Sequence, residues 1–209
     1  MFGPGTVKQL LKENYALNNI NTILITHLHS DHILDFPILM VNLEILKINH
    51  KIKVIGPIHL KQKLTNLLKI LYGNYFDSFI ERNIEFIEIS NESYSLMENN
   101  YKIDMIKVEH SGIEAYGYLI NNLLGFTGDS SFCNNIIKLF NNCQTLIADC
   151  SILVGDSNHM GFDNISFLLK SNENKNIIAT HLRDDTRDSL LFYTNDKFKI
   201  VEDGYCIKI

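Results

Sequence analysis

The chain has 209 residues, 45% hydrophobic and 21% charged, which is enough apolar material for one domain with a substantial core and excludes a disordered chain. A net charge of −5 argues against a general attraction to nucleic acid, and no apolar run approaches the roughly 20 residues that span a membrane. Four scattered cysteines (Cys133, Cys143, Cys150, Cys206), none in a CxxC pair, and the absence of a basic-then-apolar leader point to a reducing compartment, the cytoplasm.

Taken in chain order, Gly3-Pro4-Gly5-Thr6 reads as a turn, with Thr6 capping a short helix from Val7 to Glu13. Asn21 to Thr26 reads as a buried strand, because Ile23, Leu24 and Ile25 are consecutive. Asp31 then opens a helix that runs to about Ile48. Lys53 to Gly56 is a short strand. Pro57 to Leu71 is a helix with Leu60, Leu64, Leu67, Leu68 and Leu71 on its apolar side. Ile84 to Ile89 and Tyr101 to His110 follow as strands. Asn121-Asn122 between Ala115–Ile120 and Leu123–Phe126 is a tight-hairpin signal. Helices at Asn134–Phe140 and Gly161–Lys170 alternate with strands at Thr145–Ala148 and Ile177–Thr180. Asp203-Gly204 predicts a last hairpin joining Phe198–Glu202 to Tyr205–Ile209. This order fits an α/β (α+β) single domain over residues 1–209, with two mixed sheets and helices outside.

The histidines carry the chemistry. Three of the eight, His27, His29 and His32, fall within six residues directly after a buried strand, with Asp31 among them. His27 and His29 are two apart, so an extended segment aims both the same way, and Asp31 and His32 begin a helix that faces back. Imidazole and carboxylate are the donors that suit zinc, iron and manganese. Burying four such groups without a partner costs several kcal/mol, so a purely structural role is a poor account of them. His110, Asp129, His159 and His181 stand at or just after strand ends as well. Between Ile45 and Phe76 lie six lysines (Lys47, Lys51, Lys53, Lys61, Lys63, Lys69) and no acid, which fits either a patch that meets phosphate or a solvated face.

The run His27-Leu28-His29-Ser30-Asp31-His32, with His110-Ser111, Tyr116-Gly117-Tyr118, Thr127-Gly128-Asp129-Ser130 and Ala179-Thr180-His181, resembles the metallo-β-lactamase superfamily and, within it, the ribonuclease Z-like phosphodiesterases. That resemblance implies a four-layer αββα sandwich, N-terminally shortened. It implies a two-metal hydrolase with two divalent ions, zinc first and manganese or iron as alternatives. His27, His29 and His110 would hold one metal, Asp31, His32 and His181 the other, and Asp129 would bridge them. A hydroxide between the metals would be the nucleophile. Asp31 would orient or deprotonate it, and His159 would be the general acid.

The sequence also departs from that pattern. Met1 stands where the family has the aspartate of an Asp-x-Gly-x-Gly turn, so either the start lies further upstream or the opening strands are lacking; lacking them would leave an uncovered sheet edge and predicts poor stability or self-association, as in a homodimer. Only 18 residues separate His110 from Asp129, all needed for the hairpin, so the long arm of transfer-RNA-processing relatives does not fit. Phe126 stands where those enzymes tend to have a glutamate. The expected substrate is therefore a cyclic nucleotide, another small phosphodiester or an RNA end. A lactonase or thioesterase on the same scaffold, or a truncated non-catalytic metal-binding relic, are the other two readings.

Overall fold

Each half of the chain builds one sheet with helices packed against it. The computed structural model describes residues 2–206 and divides the chain into two compact units, Met1–Ser90 and Asn91–Ile209.

The first unit carries a three-stranded parallel sheet in the order β1 (Thr22–Leu24), β2 (Ile52–Pro57) and β3 (Ile84–Ile89). Its helices are α1 (Thr6–Lys12), α2 (Ser30–Ile33), α3 (Phe36–Ile45), α4 (Leu60–Tyr72) and α5 (Asp77–Asn83). Leu60, Leu64 and Leu68 are buried at four-residue spacing along α4, as its pattern predicts, but Leu71 is exposed. They pack with Phe36, Leu39, Met40 and Leu43 of α3 and with Ile52 and Val54 of β2. The single helix expected from Asp31 to about Ile48 is two helices. Pro37 has no N–H for the Ile33 carbonyl, so the first helix stops and α3 starts afresh with the proline in its first turn. The cap of α1 also differs from expectation. Thr6 lies inside the helix, and the Val7 amide is capped by the buried Asp35 carboxylate at 2.6 Å, from 28 residues away.

The second unit carries a seven-stranded sheet in the order β10-β9-β8-β7-β6-β5-β4. In chain order the strands are β4 (Ser93–Glu98), β5 (Tyr101–His110), β6 (Ile113–Ile120), β7 (Leu124–Phe126), β8 (Thr145–Asp149), β9 (Asn176–Thr180) and β10 (Phe198–Ile200). β4 to β7 pair antiparallel, and β7 to β10 pair parallel. The turn between β6 and β7 holds Asn121 and Asn122 at φ 52° and 55°, the left-handed values that the Asn-Asn signal anticipates. Helices α6 (Asn134–Asn142), α7 (Phe162–Ser171) and α8 (Asp184–Leu190) complete the unit. Ile136, Leu139 and Phe140 of α6 and Ile165 and Leu168 of α7 pack on Leu146, Ala148, Ile177 and Phe198 of the sheet. The close approach of α6 explains Gly117 between two buried tyrosines, since a Cβ there would sit 2.5 Å from the Leu139 side chain and 3.0 Å from the Phe126 carbonyl. At the C-terminus β10 pairs parallel with β9 and a turn follows; the second arm of the expected hairpin is not strand at residues 205–206, and 207–209 lie outside the described residues. Among the described residues no helix is long and apolar enough to cross a membrane.

Candidate metal centre

In the first unit the chain leaves β1 at Leu24 and delivers three imidazoles within six residues. The His27 ring centroid lies 4.8 Å from that of His29 and 3.9 Å from that of His32. His27 and His32 are buried, and the His27 Nδ1 is 3.1 Å from the Thr26 hydroxyl. His29 is extended (φ −69°, ψ 157°) and precedes α2, with its carbonyl accepting the His32 amide at 3.1 Å. Asp31 is exposed in the first turn of α2, with its Oδ2 3.1 Å from His32 Nε2.

A clamp holds this short helix. The Phe2 amide donates to the His32 carbonyl at 3.0 Å, and the Asp35 amide donates to the Phe2 carbonyl at 3.3 Å. Gly3 lies so close to α2 that a Cβ there would fall 1.8 Å from the Asp31 carbonyl oxygen. The segment that resembles a glycine-rich family turn is thus the backbone wall behind two of the candidate ligands.

In the second unit β5, β7, β8 and β9 all run in one sense, so their C-terminal ends share one edge of the sheet. His110 ends β5, Asp129 follows β7, Asp149 ends β8 and His181 follows β9. Ligands of open α/β sheets gather at such strand ends. The His181 Nε2 lies 3.3 Å from the buried Asp129 Oδ2. The His159 ring stacks on His181 at 5.2 Å and meets His110 edge-on at 5.1 Å.

Asp149 organises this edge, and sequence reasoning assigned it no role. It is fully buried. Its Oδ2 accepts from the Ser130 amide at 3.1 Å and from His159 Nδ1 at 2.9 Å. Its Oδ1 accepts from the Ser151 amide at 3.0 Å and the Ser151 hydroxyl at 2.7 Å. The Asp149 amide in turn donates to the Thr127 hydroxyl at 2.9 Å, tying β8 to the Asp129 loop. Burial pushes the Asp149 carboxyl up, but hydrogen bonds from His159, Ser151 and the Ser130 amide, with the His181 ring 3.8 Å away, outweigh it and hold the group at about 2. The same bond to Asp149 raises His159 above the usual imidazole value against an opposing effect of burial. Asp149, His159 and His181 offer donor atoms within 4.8 Å of one another. With two amides already on its oxygens, Asp149 is better suited to orienting histidines than to ligating an ion. The signal available in the sequence was a carboxylate ending an apolar strand, the same placement as the other site residues.

Proton bookkeeping tests whether this donor set suits a metal. A hydroxyl carries one proton, and Ser151 donates it to Asp149. The Ser151 oxygen therefore accepts from His181 Nδ1 at 2.8 Å, which leaves the lone pair on Nε2, facing Asp129. A lone pair and a carboxylate oxygen 3.3 Å apart repel unless a proton or cation joins them. His110 follows the same logic: its Nδ1 donates to the Asn158 carbonyl at 2.8 Å, so Nε2 is the ligating nitrogen. Asn158 itself is fixed by the Asp156 carboxylate, which accepts its amide at 2.7 Å and that of His159 at 2.9 Å. The residues present fit divalent cations bound through imidazole Nε2 and carboxylate oxygens.

Comparison with known proteins gives a consistent picture. Residues 3–206 match the model of the family described as Anti-Pycsar protein Apyc1. Ribonuclease Z of Prochlorococcus marinus (strain MIT 9312) is 32% identical over 120 residues, covering 57% of this chain and 38% of the relative, so the match spans well under half the length of that protein. Two solved structures share the fold at low identity. The short form of human tRNase Z (ELAC1) aligns with a TM-score of 0.76 at 18% identity, covering 99% of this chain and 86% of that one. The metallo-β-lactamase fold protein YhfI of Bacillus subtilis aligns with a TM-score of 0.73 at 17% identity, covering 97% and 83%. The chain has the metallo-β-lactamase fold, here with one parallel sheet, one mixed sheet and flanking helices, and is ribonuclease Z-like in sequence.

Proposed function

The chain belongs to the family of the anti-Pycsar protein Apyc1, and from that premise we propose that it is a metal-dependent hydrolase that cleaves phosphodiester bonds. One observation carries the reading: three imidazoles and a carboxylate converge at the end of β1, in a chain similar to proteins named ribonuclease Z. A ribonuclease by name breaks phosphodiester bonds. The substrate we favour is a cyclic nucleotide or another small phosphodiester, with an RNA end as the larger alternative. The three-residue turn between β6 and β7, where a long arm has no place, supports the smaller substrate.

In this reading two divalent ions, zinc before manganese or iron, are held as the sequence resemblance divides the ligands. His27, His29 and His110 would hold one, Asp31, His32 and His181 would hold the other, and Asp129 would serve both. When bound, the ions acidify water and neutralise charge that builds on the phosphoryl oxygens. Asp31 would orient or deprotonate the attacking water. His159, whose Nδ1 is hydrogen-bonded to the Asp149 carboxylate and whose basicity that bond raises, would give its proton to the leaving oxygen. The family match over residues 3–206 supports one functional domain, and the free cysteines support a reducing, cytoplasmic setting. The reading includes a homodimer, supported by apolar side chains left at the surface of the first unit, Leu34 just after α2 and Ile38 and Ile45 seven positions apart on α3, at 44%, 45% and 72% exposure.

Elemental analysis of the purified chain, followed by a panel of phosphodiesters, carboxylic esters and thioesters, tests the proposal. Two metals per chain and turnover confined to diesters are expected. Turnover of esters alone would replace it with the lactonase or thioesterase reading. No bound metal and no cooperative melting would mark a relic.

A further inference from the structure

The six lysines between Ile45 and Phe76 find no use in the chemistry above. The structure separates them. Lys69 on α4 lies 4.0 Å from the Asp77 carboxylate, an exposed pair. Lys63, one turn into α4, instead reaches across the first unit, and its ammonium donates to the Leu28 carbonyl at 2.8 Å. Leu28 sits between His27 and His29, so a full positive charge is parked on the ligand segment itself.

The packing of α4 makes this placement specific. Leu60, Leu64 and Leu68 are buried and fix the rotation of the helix. The Lys61 amide is capped by the Glu88 carboxylate at 2.8 Å, which fixes its start. Lys63 is exposed on the neighbouring face, within side-chain reach of the loop. An ammonium has three donors, and the Leu28 carbonyl takes one.

Charge indicates what the others are for. A lysine beside a cation-binding cluster opposes metal binding, because like charges repel. The same charge becomes favourable once an anion joins the cluster. A neutral residue would brace the Leu28 carbonyl without that conflict. We propose that Lys63 is a substrate-binding residue that recognises a non-bridging phosphate oxygen of the diester, held in place by the Leu28 carbonyl. The inference deepens the phosphodiesterase reading and rests on it for the identity of the anion.

The test compares metal-loaded wild-type chain with Lys63→Met and Lys63→Arg. With bis(p-nitrophenyl) phosphate, Lys63→Met raises KM about tenfold or more while kcat changes less than about threefold, the size expected for one charge-assisted hydrogen bond. Lys63→Arg keeps KM within about threefold of wild type, since guanidinium also donates to phosphate. Calorimetric titration with inorganic phosphate shows the same loss of affinity in Lys63→Met, with metal content equal to wild type. Unchanged KM and unchanged phosphate affinity in Lys63→Met overturn the proposal. So does a parallel fall in metal content, which would make Lys63 a brace for the ligand loop. If the wild type proves inert on diesters, the phosphodiesterase reading fails, and the phosphate titration still decides on Lys63.

Discussion

Asp149 accepts hydrogen bonds from two backbone amides, the Ser151 hydroxyl and His159, so its carboxylate sets the tautomer and orientation of the histidine proposed as general acid. Asparagine there keeps the size and loses the charge. Asp149→Asn is expected to lower turnover about 10–100-fold on diesters with a poor alkoxide leaving group. On p-nitrophenyl diesters, whose leaving group departs without a proton, the loss should be small, and His159→Ala should show the same contrast. Comparing the two substrate types checks this directly; equal losses on both would assign Asp149 a merely structural role. Residues of this kind are hard to read in a sequence. His27, His29, Asp31 and His32 are legible because one short segment supplies them all. Asp149 acquires its role only when Ser130, His159 and His181, separated by up to 51 positions, are folded around it.

At the scale of elements, the clamp of residues 2–7 on α2 and Asp35 is the feature most open to perturbation. Gly3→Ala places a methyl against the Asp31 carbonyl, and relief requires the backbone to move. The expected cost is about 1–3 kcal/mol, read in urea melts, accompanied by weaker metal binding because α2 carries Asp31 and His32. Asp35→Ala removes the Val7 cap and is expected to cost about 0.5–2 kcal/mol by the same measurement. A substitution at either position that leaves both stability and metal affinity unchanged would contradict the role given to the clamp. The cap was illegible in sequence because its donor and acceptor lie 28 residues apart. Elements with strong local patterns were legible to the residue, as with Ile84–Ile89 and Tyr101–His110. Among the strands and α-helices, three were missed: β4, a largely exposed edge strand, and α5 and α8, short helices rich in charge. The break between α2 and α3 was present in the sequence as Pro37, overridden by the long apolar run around it.

At the scale of the whole molecule, each unit has its own sheet and hydrophobic cluster, and the family match spans both. A metal that binds only the folded chain stabilises it by mass action, so stripping with a chelator should lower the melting temperature, and zinc should restore it. Light scattering is expected to give twice the chain mass, and Ile38→Glu with Ile45→Glu to give the monomer; a wild-type monomer at micromolar concentration would contradict the dimer. The account as a whole stands on metal-dependent diester cleavage at the His27–His32 segment. Its most direct test is the initial rate of bis(p-nitrophenyl) phosphate hydrolysis by the chelator-stripped chain, the zinc- or manganese-restored chain and His27→Ala. The rate should fall to background on stripping, return with metal and stay at background in His27→Ala. A folded, fully metal-loaded wild type that is inert toward this and every other diester would contradict the account.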